Sequence, residues 1–187
     1  MKTYLCLALT AVLLLAANCK KDDPAAGLPP ATQAGKNTGG FLLNGQPWLP
    51  KASAVGNNPY TVSAIYGPFS FRAHRLSISM FRYQNVDNSQ SLTLYLAGVR
   101  QPGTYPLDQD VNTVFISKPW PSHALYNVSA PGPDREFYTS STARGQVIIT
   151  RLDTIARVAA GTFEAKVKED GGPDSLSITQ GRFDIKF

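Results

Sequence analysis

Side chains able to do covalent or acid–base chemistry are sparse here. The 187 residues hold two cysteines, two histidines and 13 acidic side chains. Of the two thiols, Cys19 stands in the telling place. It follows Leu15-Ala16-Ala17-Asn18 at the end of an apolar run from Leu5 to Ala17, with Lys2 in front. A charged start, a short apolar region and small residues before a cut describe a removable export signal. A run of about thirteen residues is too short for a bilayer core that needs about 20. With a cysteine just past the cut, the chemistry expected is acylation: a diacylglycerol on the Cys19 sulfur, cleavage before it, and an acyl chain (palmitate or similar) on the freed amine. Cys6 leaves with the signal, so the mature chain has no disulfide, no thiol nucleophile and no cysteine ligand in an oxidising compartment. No other cofactor is expected.

The remaining candidates are weaker. His74 and His123 are far apart and lack the paired spacing of a zinc site, so no metal is expected from them. Asp108-Gln109-Asp110-Val111-Asn112 imitates the opening of a calcium loop. Thr113 replaces the glycine at position six and Pro119 the glutamate at position twelve, so the match fails where coordination needs it. A carboxylate pair for glycoside hydrolysis could be drawn from Asp108, Asp110, Asp134 and Glu136. A Ser/His/Asp set could be assembled only by the fold. No nucleophile elbow, phosphate loop or dinucleotide fingerprint occurs. The sequence leans away from an enzyme, and no catalytic residue is assigned. The stretch Lys118-Pro119-Trp120-Pro121-Ser122-His123-Ala124-Leu125-Tyr126-Asn127 reads as a loop. Prolines beside Trp120 would hold its ring ready to stack on a sugar or an apolar ligand. Trp120, His123 and Tyr126 are the candidate binding residues, against the plainer reading of Trp120 as a lid on one end of the domain. Trp48 reads as core.

Charge bounds the partners. The chain carries 18 basic and 13 acidic residues, formal net +5; removing residues 1–18 takes one lysine and no acid. A basic patch at Phe71-Arg72-Ala73-His74-Arg75 has no nucleic-acid-binding signature beside it. The balance reads as solubility or weak attraction to acidic polymers, with no nucleic-acid partner. Residues 20 to 38 hold Pro24, Pro29 and Pro30 among alanines and glycines and read as a flexible tether. The expected plan is a cleaved signal at 1–18, lipidated Cys19 and tether over 19–38, and one domain over 39–187.

That domain reads as all-β. Leu76, Ile78 and Met80 alternate with Ser77, Ser79 and Phe81; Leu92, Leu94 and Leu96 with Ser91, Thr93 and Tyr95; Phe163, Ala165 and Val167 with Thr162, Glu164 and Lys166. Period two with one polar face means half-buried antiparallel strands. Further strands are predicted over 40–44, 61–66, 113–117, 136–140 and 145–151. The fold expected is an antiparallel β-sandwich or small barrel of about 8–10 strands. Inward parity changes from Leu176 and Ile178 to Phe183, Ile185 and Phe187, which predicts a β-bulge at Gln180-Gly181 with the glycine at positive φ. The echo at Gly161, between Val158 and Phe163, predicts a second.

Lys20-Lys21-Asp22-Asp23 after the cysteine resembles the surface-export signal of Bacteroidota lipoproteins. The whole chain resembles a family of small lipoproteins from that group. The resemblance rests on Leu28-Pro29-Pro30-Ala31-Thr32-Gln33 leading to Thr38-Gly39-Gly40-Phe41-Leu42-Leu43-Asn44-Gly45-Gln46-Pro47-Trp48. It extends to Gly145-Gln146-Val147-Ile148-Ile149-Thr150-Arg151-Leu152-Asp153, to Ala160-Gly161-Thr162-Phe163-Glu164, and to Ile178-Thr179-Gln180-Gly181-Arg182-Phe183-Asp184-Ile185. Family members often have cysteine where Phe41 stands. The resemblance implies an all-β domain on a lipid anchor, with no activity to carry over. From the lipid signal and tether, the anchor is expected at the outer membrane. The function expected is display or binding at the cell surface, of a glycan, a peptide or an envelope partner. The periplasmic face is the alternative orientation, and a small surface hydrolase the alternative function.

Overall fold

The computed structural model describes residues 23–52, 61–69, 73–85, 88–111 and 120–187. Among them there is no α-helix; one 3-10 turn, Pro24–Gly27, precedes the strands. Eleven strands follow: β1 (Thr38–Leu43), β2 (Gln46–Trp48), β3 (Val62–Phe69), β4 (Ala73–Asn85), β5 (Asn88–Ala97), β6 (Gly103–Leu107), β7 (His123–Ser129), β8 (Arg135–Tyr138), β9 (Gly145–Asp153), β10 (Val158–Glu169) and β11 (Ser175–Lys186). All named pairings are antiparallel. The all-β expectation holds, with one strand more than the upper bound. The extra ones are short (β2, β6) or hidden behind prolines (β7). The strand expected at 113–117 falls outside the described residues.

The strand order is β2-β1-β11-β10-β8-β7-β5-β4-β3, with β9 paired to β10 and β6 to β9. β10 serves two neighbours on one edge. Val158–Ala165 pairs with β9, and after two intervening residues Lys168 and Glu169 pair with Tyr138 and Phe137 of β8. The sheet therefore splits at the end of β10 into two layers that face each other, consistent with a β-sandwich. It does not close into a barrel. Chain leaving β2 makes one parallel bridge, Lys51 to Arg82 of β4, across the open side.

Alternation explains the core. Leu76, Ile78 and Met80 on β4, Leu92, Leu94 and Leu96 on β5, and Phe163 and Val167 on β10 are buried in one apolar cluster. Between the layers Phe41 stacks on Trp48 with ring centroids 4.6 Å apart. Tyr126 meets both rings edge-on, at 6.4 and 6.3 Å. Their polar atoms are satisfied by one amide: Gln90 Oε1 accepts from Trp48 Nε1 (2.7 Å) and from the Tyr126 hydroxyl (3.0 Å). Buried Trp and Tyr need such a partner.

Both register shifts exist, but the parity change expected on β10 at Gly161 does not. On β11 the register slips as predicted: Gly181 faces Phe163, and the next pair is Ile178 with Ala165. The positive φ falls on Gln180 (52°), not on Gly181. Gly181 is required for close approach: a Cβ there would lie 2.4 Å from the Phe163 ring. At Gly161 the extra residue sits on the partner strand, because Ala160 pairs with Arg151 and Gly161 with Ile149, skipping Thr150. β10 itself keeps one parity, with Ala159, Phe163, Ala165 and Val167 in the core.

Val158 and Ala160 are buried on the opposite face, and what covers them is the stretch expected as tether. Leu28 is buried, and Gly35 lies against Val158 and Lys186. At the centre is Asp184, 1% exposed. Its carboxylate accepts from the Thr32 hydroxyl (2.6 Å), Ala34 N–H (3.0 Å) and Gly35 N–H (2.6 Å). Asn37 Oδ1 accepts from Lys186 N–H, and Arg182 and Arg151 donate to the carbonyls of Pro29 and Gln33. The segment 28–37 is thus folded onto β1 and β11. Composition alone reads as linker, because the group that orders it is about 150 positions away.

Burial alone would raise the Asp184 pKa. The Thr32 hydroxyl and the N–H groups of Ala34, Gly35 and Lys36 outweigh it and hold the carboxyl below its ordinary range. Its folded value is thus depressed, so its contribution is present above the unfolded pKa near 3.9 and is lost as pH falls through the folded value. Asp184→Ala should cost about 2–3 kcal/mol at neutral pH. The gap from wild type should close in acid, as read by urea melts between pH 2 and pH 7. Gly181→Ala should cost about 1–3 kcal/mol, because the Phe163 ring must move.

Candidate functional site

Neighbouring strands bring aromatic side chains together on the solvent side of β5, β7 and β8. Tyr95 of β5 is directly paired with His123 of β7, and their rings stack at 5.2 Å and 23°. Trp120 stands edge-on to both, 5.9 Å from Tyr95 and 6.0 Å from His123. Tyr138 of β8 continues the row 6.4 Å from His123. Tyr95 and His123 are buried beneath it, whereas Trp120 is 42% exposed. A large aromatic held at that exposure by two rings is a pre-ordered shelf with little rotamer entropy left to lose.

His123 is fixed by its own turn: Nδ1 lies 2.8 Å from the Pro121 carbonyl, so Nδ1–H donates and the ring is the neutral tautomer with Nε2 as acceptor. Burial lowers its pKa, and the Pro121 bond offsets this only in part. Burial raises the Tyr95 pKa, with Arg75 opposing. Tyr138 is pushed up to about 12 by burial and by its bond to Glu136 (2.7 Å), so it stays a neutral donor.

Tyr138 also walls a polar cavity of about 520 Å³ at the seam between the layers, together with Asp110, Glu136, Ser140, Lys168 and Asp170. Asp110 accepts from Ser141 N–H and hydroxyl at 3.0 and 3.1 Å. Glu169, also on the wall, is bound by Arg135, which holds its pKa down. The fold thus gathers Asp110 and Glu136, two of the four acids considered for hydrolysis, into one cleft. It does not assemble a triad there, since Asp110 bonds Ser141 directly and His123 turns Nδ1 to a carbonyl. Among the described residues no group of three His, Cys, Asp or Glu could hold a metal ion.

Of the three binding candidates, Trp120 and His123 share the shelf and Tyr126 does not. The loop expected through Asn127 instead becomes β7 at His123, and three residues along a strand reverse the face. Tyr126 is core, as Trp48 is. Tyr95 and Tyr138 are the members that sequence reading missed. Their signal was parity, since Tyr95 lies on the non-core face of an alternating run. Cys19, Lys20, Lys21 and Asp22 lie outside the described residues. Asp23 caps the 3-10 turn, its Oδ1 accepting from Ala25 N–H at 2.9 Å.

Trp120→Ala should leave unfolding free energy within about 1 kcal/mol of wild type, whereas Trp48→Ala should cost about 3–5 kcal/mol, both by denaturant titration. His123 is depressed in the folded state. Its contribution is therefore whole above the unfolded pKa near 6.5 and is lost as pH falls toward the folded value. A His123→Phe variant should show a flatter stability profile between pH 7 and pH 5.

No protein-family model, no curated protein and no solved structure matches this chain.

Proposed function

We propose that this chain is an outer-membrane lipoprotein, anchored through acylated Cys19 and exposed at the cell surface, whose β-domain binds a glycan-like ligand without turning it over. The anchor is supported by the Leu15-Ala16-Ala17-Asn18-Cys19 run, and the surface orientation by Lys20-Lys21-Asp22-Asp23. One observation carries the binding reading: Trp120 is exposed yet held edge-on by Tyr95 and His123. Tyr138 joins that row to a cleft of hydroxyls, carboxylates and an amine. Flat rings for the apolar face of a sugar beside polar groups for its hydroxyls are the chemistry a polyhydroxylated ligand needs. A peptide or an envelope protein would use the same shelf with fewer polar contacts.

A second reading has its own observation. Asp110 and Glu136 line one cleft, the arrangement from which a retaining or inverting glycosidase would work. Glu169 cannot supply the general acid, since Arg135 holds it ionised and that role needs a raised pKa.

A soluble fragment should begin at Asp23, so that segment 28–37 is kept. In a thermal-shift screen against glycans and peptides, a ligand at 100 times its Kd should add about 2.7 kcal/mol of stability. The shift should vanish in Trp120→Ala with the unliganded midpoint unchanged. Release of product from a reporter glycoside, abolished by Glu136→Gln, would establish the hydrolase instead. Palmitate incorporation lost in Cys19→Ala, and loss of the domain on protease treatment of whole cells, test the anchor and its orientation.

A further inference from the structure

We infer that residues 28–37 form a latch that halves the reach of the membrane tether and keeps the domain close to the lipid surface. This rests on Cys19 carrying the anchor. The latch runs antiparallel to β1 across the outer face of β11. Gly27 packs against Pro47, Pro29 accepts from Arg182, and Thr32, Ala34 and Gly35 all donate to Asp184. Gly35 (φ 71°) and Asn37 (φ 55°) turn the chain back into β1, with Asn37 Oδ1 taking the Lys186 N–H. Glycine fits the first of these turns, where a Cβ would meet Lys186 at 2.8 Å.

Two features argue that this docking is built and not incidental. The face beneath it is apolar on the solvent side of the sheet: Leu42, Val158 and Ala160 are buried there, and Leu28 closes over one end. In its midst stands a carboxylate, 1% exposed, which would be costly to bury if the segment did not satisfy it.

The consequence is a distance. With the latch closed, nine residues separate Cys19 from Leu28, a span of at most about 30 Å. With it open, nineteen residues separate Cys19 from Thr38, about 65 Å. Ligands met by the closed form are those held near the lipid headgroups.

The test uses the full lipidated chain in phosphatidylcholine vesicles. Once Cys19 is acylated, a Thr154→Cys substitution on the exposed turn between β9 and β10 offers a unique thiol for a donor dye, with an acceptor dye on the lipid. Energy transfer should fall in Asp184→Ala. It should fall comparably when ten Gly/Ser residues are inserted before Asp23, which lengthens the tether without touching the latch. Equal transfer in wild type and Asp184→Ala, with the insertion variant clearly lower, would overturn the latch. Circular dichroism checks that the variants fold, and Thr32→Ala serves if Asp184→Ala does not. Failure of the anchor is read separately: without palmitate incorporation the chain would not join the vesicles. Trypsin cleavage after Lys36 in the fragment from Asp23 then decides the docking by itself. Protection in wild type and cutting in Asp184→Ala support it, and equal cutting refutes it.

Discussion

Strand β10 has one edge and two claimants, and much of the molecule follows from how they share it. Hydrogen-bonding groups on a strand edge can be satisfied by one partner at a time, so β9 takes the first part and β8 the last two residue pairs. The passage from one to the other turns a single sheet into two facing layers and gives the core its thickness. The polar cleft lies at the end of β10 that β8 takes, with Lys168, Glu169 and Asp170 of that end and Tyr138 of β8 on its wall. The candidate site is thus a by-product of sheet topology, furnished afterwards with side chains.

The layers are held by packing, with one polar knot inside. Phe41, Trp48 and Tyr126 come from three strands of both layers, and Gln90 supplies an acceptor for two of them. Glycines set the closeness: at positions 161 and 181 even a methyl group would strike a backbone carbonyl or a ring. Each glycine stands beside a bulge, at Thr150 of β9 and at Thr179-Gln180 of β11, so the side chains of β9 and β11 change face opposite β10, which does not.

Much of this was legible in the chain. Strict alternation identified β4, β5, β10 and β11, and the parity break located the bulge near Gln180. What escaped reading had a common cause: partners distant in sequence. Val158 reads as inward-facing only through the echo at Gly161, and what lies against it is Gly35, 123 positions earlier. The 28–37 segment looked like linker because Pro, Ala and Gly give no periodicity, and the buried Asp184 gives no sign of its partners. β7 was hidden by the prolines before it, although Ala124, Tyr126 and Val128 alternate as any strand does. At the site, Trp120 announced itself through its flanking prolines, whereas Tyr95 and Tyr138 reach it only through strand register.

The pairing of Asp184 with Thr32 joins positions 152 apart, and the β1–β11 ladder spans nearly the same separation. Contacts so remote return nothing until a very long loop has closed, and that entropy is spent in advance. The chain must therefore build the β4–β5 and β10–β11 hairpins, whose contacts are local, before its early segment has anywhere to settle. That segment precedes every strand in the chain, so during synthesis it waits for a partner made last. Folds rich in such remote pairings assemble in about milliseconds to seconds.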